Sequence, residues 1–328
     1  MINALARCMN RTLWHCVFAW SLFGFGVASQ LEPAIAGECG TTAWSDPVNL
    51  GPPVNSTYRD TGATFSPDGL SLYFVSTREG TLGPLDIWVS KRTCADCPWE
   101  TPVNLTVVNS AFTDGAPSLS TDGHLLFFQS DRPGGHGSSD IWVSRRANAN
   151  DNFGWEPPVN LGPGVNTSAG EFAPDYVQSA DYYLQNAGAP ADAAALYFGR
   201  GPVATDQHIY TAPLTRDGKT LGPAVFVHEL NSLTNDAAPS VRTDGKEVVF
   251  WSLRPGGLGS GDIWVSTRRT VHEPWSLPEN VGSPVNTVSN DRRPNLSRSG
   301  RTLLFDSDRP NGLGVEDIWM VTRTPGCR

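Results

Sequence analysis

One unit, repeated along the chain, limits the fold more than any other feature of this sequence. Asp60–Arg92 reads DTGATFSPDGLSLYFVSTREGTLGPLDIWVSKR; Asp114–Arg146, Asp236–Arg268 and Asp291–Arg323 repeat its pattern over the same 33 residues. A degraded copy keeps Glu171-Phe172-Ala173-Pro174, Leu196-Tyr197-Phe198 and Asp206-Gln207-His208-Ile209-Tyr210. Asp86, Asp140, Asp206, Asp262 and Asp317 follow one another at intervals of 54, 66, 56 and 55 residues. Self-similarity at such a period marks supersecondary units that bury a core only by stacking on their neighbours. A second piece fills the gaps: a Trp, then Pro-Val-Asn-Leu or a close variant, at Trp44/Pro47–Gly51, Trp99/Pro102–Leu105, Trp155/Pro158–Gly162 and Trp275/Pro278–Gly282. Before Asp236 only Leu230-Asn231-Ser232 remains of it.

Each unit resolves into four short strands. Alternation around Pro-x-Leu-Ser makes the first, and Leu72-x-Phe74-x-Ser76 with its equivalents makes the second. Asp-Ile-Trp-Val-Ser makes the third and Pro-Val-Asn-Leu the fourth. Asp68-Gly69, Asp122-Gly123 and Asp244-Gly245 are tight hairpin turns, where a positive φ is needed. Gly (33) and Pro (26) supply nearly a fifth of the 328 residues, against about 12% in ordinary chains. The reading is all-β: a five-bladed β-propeller of four-stranded antiparallel blades. A net charge of −9 argues against a nucleic-acid partner.

Ser66-Pro67-Asp68-Gly69, followed by Leu-x-Phe-x-Ser and Asp-Ile-Trp, resembles the Pro-Asp type of WD40-like β-propeller repeat found in TolB-like propellers. The resemblance covers about residues 44–324 and implies the propeller fold. No TolB-like N-terminal α/β domain and no hydrolase domain accompany it, so neither Tol-system partnership nor peptidase activity carries over.

The chain enters through the Trp44–Gly51 piece and leaves after Asp317-Ile318-Trp319. The N-terminal piece therefore supplies the missing fourth strand of the last blade, closing the ring and removing both sheet edges. Cys39 and Cys327 fall in the same inter-strand connection as Cys94 and Cys97 do in another blade. The expected disulfides are Cys39–Cys327, a clasp worth roughly 5 kcal/mol by loop entropy, and Cys94–Cys97, a local bridge.

Residues 1–36 read as a signal peptide, with Met1 or Met9 as the start: Arg7 and Arg11 precede an apolar run from Leu13 to Ala28, and small residues follow. Residues 37–328 form the propeller domain, periplasmic or secreted, monomeric, and with no membrane span once the signal is cleaved.

Two features are candidates for chemistry. Asp60, Asp114, Glu171, Asp236 and Asp291 begin the innermost strand of each blade. Converging on the channel they would hold Ca²⁺ or a polar ligand; alternatively each pairs with an Arg of the series Arg78, Arg132, Arg254 and Arg309 and staples the blades. The other feature is the long stretch between Glu171 and Leu196, where Tyr182 and Tyr183 would suit sugar stacking. No Gly-x-Ser-x-Gly elbow is present and the His residues occupy non-equivalent places, so no catalytic residue is assigned. The leading expectation is an exported, non-catalytic binding scaffold with a protein or glycan ligand at the channel face. The alternative is a carbohydrate-binding or glycosidase-like propeller, Ca²⁺-dependent if the acidic ring is an ion site.

Overall fold

The computed structural model describes residues 43–178, 193–202 and 206–324. Among them twenty strands form five antiparallel sheets of four. Blade one holds β2 (Asp60–Phe65), β3 (Ser71–Ser76), β4 (Asp86–Lys91) and β5 (Val103–Asn104). Blade two holds β6 (Asp114–Leu119), β7 (Leu125–Ser130), β8 (Asp140–Arg145) and β9 (Val159–Asn160). Blade three, from the degraded copy, holds β10 (Gly170–Val177), β11 (Ala194–Gly201), β12 (His208–Leu214) and β13 (Val225–Phe226). Blade four holds β14 (Asp236–Val241), β15 (Glu247–Ser252), β16 (Asp262–Thr267) and β17 (Glu279–Asn280). Blade five is β18 (Asp291–Leu296), β19 (Thr302–Ser307) and β20 (Asp317–Thr322), completed by β1 (Val48–Asn49).

The closure expected from the repeat order is therefore present. Val48 pairs with Met320 and Asn49 with Trp319. The ladder is two residues long, but a side chain extends it: Asn55 accepts from the Ile318 N–H and donates to its carbonyl, both at 2.9 Å. Asn109, Asn166, Asn231 and Asn286 make the same pair of bonds to Ile87, Ile141, Ile209 and Ile263. The second Asn of each connection thus acts as one more strand residue. Asn55 and Asn166 also head Asn-x-Ser/Thr patterns, but this role buries them.

Every side chain of β3 is buried, because a blade is sandwiched between two others. Its alternate residues serve opposite interfaces. Leu72 and Phe74 pack with Leu304 and Ile318 of blade five, whereas Tyr73 packs with Leu126, Phe128 and Trp142 of blade two. Each such side chain contributes about 1.5–3 kcal/mol on burial. The Asp of Asp-Ile-Trp holds the preceding loop: Asp86 accepts from the Leu82 and Gly83 N–H groups at 2.6 and 3.2 Å, and from Asn104 at 2.6 Å.

The innermost strands share one distortion. Register slips between Thr61 and Thr64 and at the equivalent place in every blade. At each slip one residue takes a left-handed backbone: Gly62 (φ 59°), Ala116 (50°), Ala173 (46°), Ala238 (49°) and Arg293 (44°). That conformation costs an L-residue roughly 1–2 kcal/mol, and Arg293 bears it where the other blades place Gly or Ala.

Candidate functional site

The five acidic residues are fully buried and each is paired with an arginine. Asp60 meets Arg78 at 2.6 Å, Asp236 meets Arg254 at 2.6 Å and Asp291 meets Arg309 at 2.6 Å; Asp114 meets Arg132 likewise. The other carboxylate oxygen takes the N–H and hydroxyl of a Ser or Thr four residues earlier, as Ser56 does to Asp60 at 2.7 and 2.6 Å. Each arginine also donates to a carbonyl of the incoming connection and lies over the blade's Trp, 5.2–5.4 Å from its ring in four blades.

Blade three reaches the same end by other means. Its arginine, Arg200, comes two residues earlier in the strand, and the longer Glu171 meets it at 2.8 Å. Burial pushes the Glu171 carboxyl up, against the Thr167 bonds and Arg200. None of the five carboxylates lines the channel cavities described below. No group of three or more His, Cys, Asp or Glu among the described residues is placed to hold a metal. Millimolar Ca²⁺ against EDTA is therefore expected to leave the melting temperature unchanged. A bound ion at ~100 Kd would add about 2.7 kcal/mol, and a rise of several degrees would contradict the staple geometry.

Inside the ring the channel has a waist and two wider ends. The waist, about 30 Å³, is walled by the left-handed residues and their neighbours, among them Ala116, Pro174, Asp175, Ala238 and Arg293. That volume suits about one water molecule. On the Asp-Gly hairpin side lies a cavity of about 490 Å³. Its wall is mixed, and its polar side chains include Thr64, Ser118, Asp175 and Asn295 from the innermost strands, with Asp68 and Arg298 from the hairpins. Tyr176, stacked on Phe127 at 5.2 Å, and Phe65, stacked on Trp99 at 6.2 Å, are its aromatic residues. Arg298 donates to the Ser120 carbonyl at 3.2 Å and to that of Thr121, linking blades five and two, which are not adjacent.

Asp175 is the residue that sequence reasoning missed. Its column reads Thr64, Ser118, Asp175, Ser240 and Asn295. The side chain in this column accepts a backbone N–H from the next blade: Ser118 from Tyr176 at 3.1 Å, Asp175 from Val241 at 2.8 Å, Ser240 from Leu296 at 3.0 Å. A hydroxyl suffices for that clasp. Asp175 puts a carboxyl there, and burial pushes it up to about 7, opposed only by the Val241 N–H. Asp68, on the same cavity wall, goes the other way. Burial would raise it, but the Ser66 hydroxyl and the Leu70 N–H outweigh this and hold it below the usual carboxylate range.

The Cys94–Cys97 bridge is formed, within the connection before Trp99. Cys39, Cys327, Tyr182 and Tyr183 lie outside the described residues. On either side of the long insertion Val177 of β10 pairs with Ala195 of β11, near the hairpin end of blade three. No helix among the described residues is long and apolar enough to cross a membrane.

No protein-family model matches the chain, and no curated protein matches it by sequence. Solved structures do share its fold. The α-L-arabinofuranosidase of Podospora anserina, in complex with cellotriose, superposes with a TM-score of 0.54 at 11% identity, over 88% of this chain and 98% of its own. The endo-arabinase of Bacteroides thetaiotaomicron gives 0.53 at 18% identity, over 86% and 98%. The exo-β-1,3-galactanase of Phanerochaete chrysosporium, solved with galactose, gives 0.53 at 12% identity, over 84% and 64%. At these identities the likeness is one of fold. It nevertheless overturns the non-catalytic scaffold as the leading expectation in favour of the carbohydrate alternative, because these propellers, which share the fold over most of the chain, are glycoside hydrolases. The repeated carboxylates, considered as a ring for a ligand or an ion, are instead each paired with an arginine.

Proposed function

We propose that the protein is a carbohydrate-active β-propeller that takes a neutral glycan into the hairpin-side cavity, with Asp175 as proton donor. The observation that carries this is a buried carboxyl, half protonated near neutrality, on the wall of a cavity of about 490 Å³ with mixed polar and apolar lining. That volume is in the range of small-ligand sites. Hydroxyls and the Asn295 amide suit sugar hydroxyls, and Tyr176 and Phe65 suit sugar C–H faces.

A carboxyl that still holds its proton near neutrality can act as general acid on a glycosidic bond. Asp175 gives its proton to the glycosidic oxygen as the C–O bond breaks. A water oxygen adds to the sugar carbon and releases its proton to solvent, from which Asp175 is protonated again. The fold likeness to an arabinofuranosidase, an arabinase and a galactanase supports the substrate class. The Pro-Asp type of the repeats, carried by Ser66–Gly69 and its equivalents, and export directed by residues 1–36 belong to the same proposal: an exported protein meets polysaccharide.

Calorimetric titration with arabino-, xylo- and β-1,3-galacto-oligosaccharides tests it. At least one series is expected to bind, and to bind more weakly in Thr64→Val and Asn295→Leu, which remove polar groups from the cavity. No heat with any series from a folded protein would overturn it.

A further inference from the structure

The opposite mouth of the channel has a different chemistry. A cavity of about 210 Å³ opens there above the waist. Its wall carries two cations, Arg292 and Arg293, two amides, Gln129 and Gln207, and two aromatic rings, Phe172 and Trp251. Among the described residues no carboxylate lines it.

The two arginines break the repeat. The same two positions hold Thr61-Gly62, Gly115-Ala116, Phe172-Ala173 and Ala237-Ala238 in the other blades. Arg293 keeps the left-handed backbone of its siblings although it has a long side chain. Its Nη1 donates to Asp306 at 3.1 Å, and Asp306 also accepts the Gly62 N–H at 2.8 Å. Blade two makes the equivalent contact without charge, the Ala173 N–H donating to Gln129 at 2.9 Å. The fold can therefore be built with Ala and Gln here, and the Arg–Asp pair is not needed to close the ring.

Arg292 is ion-paired with Glu316, which Arg59 also contacts. Its buried Nε has no hydrogen-bond partner among the described residues. Burial first, and then the neighbouring Arg293, push the Arg292 guanidinium down to about 10. Three guanidiniums, of Arg59, Arg292 and Arg293, are gathered around Glu316 and Asp306, neither of which lines the cavity, so Arg292 and Arg293 are the charged residues of its otherwise neutral wall. Arg293 keeps 35% of its side chain exposed.

We infer that this mouth binds the carboxylate of an acidic sugar, a hexuronate, with Arg292 and Arg293 on the carboxylate and Trp251 or Phe172 against the ring. Paired guanidinium N–H groups match a carboxylate in geometry and charge, and an aromatic face beside them suits a pyranose. The volume is that of about one sugar residue. The inference rests on the carbohydrate reading for the sugar class, while the carboxylate contact stands on this mouth alone.

Calorimetry with D-galacturonate, D-galactose and acetate, on the whole chain, tests it. Galacturonate is expected to bind at least tenfold more tightly than either of the others. Arg293→Gly, which places the residue of blade one at that position, is expected to weaken galacturonate at least tenfold. Should the single change disturb Asp306, Arg293→Ala with Asp306→Gln restores the uncharged contact of blade two and is expected to show the same loss. Galactose binding as well as galacturonate, acetate binding as well as galacturonate, or undiminished binding in the folded variants would each overturn it. Galacturonate binding without any neutral oligosaccharide binding would keep this inference and sink the hairpin-side reading; the reverse pattern would do the opposite.

Discussion

Asp175→Asn is expected to be more stable than the natural chain at pH 8 and nearly equal to it at pH 4. Burial holds the folded carboxyl at about 7, whereas an unfolded Asp titrates near ~3.9. Between those values the folded protein binds the proton and the unfolded chain does not. The protonated carboxyl's stability is thus fully present below about pH 4 and is lost as pH rises through about 7. At about 1.36 kcal/mol per pH unit, the interval amounts to roughly 4 kcal/mol. Asn keeps an oxygen for the Val241 N–H and carries no charge at any pH. Urea unfolding at both pH values reads the difference. Equal stability at pH 8 would mean that the carboxyl is not paying a burial cost, and the case for its special role would fall. A residue that destabilises the ring at neutral pH, where three sibling positions use a hydroxyl, is the kind of feature kept for function.

The second large effect concerns a staple. Asp114→Ala leaves Arg132 buried with its carboxylate gone, and it removes the acceptor of the Ser110 N–H and hydroxyl, which sit at 2.6 and 2.8 Å. Breaking one side of a buried pair costs about 3–5 kcal/mol. At about 2–4 °C per kcal/mol for a chain of this size, the melting temperature is expected to fall by about 10 °C. Glu273→Ala removes the exposed pair with Arg269 at 3.1 Å and is expected to cost under ~1 kcal/mol. Comparable losses in the two variants would show that the Asp–Arg pairs are surface ornaments. The contrast separates a staple from a salt bridge counted only because it is close.

Much of this was readable from residues. Period-two alternation in Leu72–Ser76 and its copies announces strands, and the copy number announces the blades; burial of both strand faces comes from the stacking of blades. The split of Trp44–Gly51 from Asp317–Trp319 announces the closure, since an open ring would leave two edges bare. The staples were half visible. Asp60 and Arg78 recur in step, but in blade three the arginine shifts to Arg200 and the acid lengthens to Glu171; only geometry shows that the two changes compensate.

Asp175 was hidden for a related reason. It lies in the degraded copy, where misalignment looks like decay, and its siblings Thr64, Ser118 and Ser240 look like ordinary strand residues. The signal was the one carboxyl in a column of small polar groups. Its raised pKa depends on burial between blades, which no local sequence pattern reports. The same holds for Arg292 and Arg293: the residues were in plain view, while the cavity that gives them meaning is made by elements from all five blades.

The central claim, that this propeller acts on glycans through Asp175, is tested most directly by turnover. Reducing-end release from arabino-, xylo- and β-1,3-galacto-oligosaccharides would be followed from pH 4 to pH 9 for the natural chain and for Asp175→Asn. The expected result is hydrolysis of at least one series, falling away above about pH 7 as Asp175 loses its proton. The variant is expected to lose about 10²–10⁴-fold in rate while remaining folded. Turnover that survives unchanged in Asp175→Asn, or no turnover on any series, would contradict the claim.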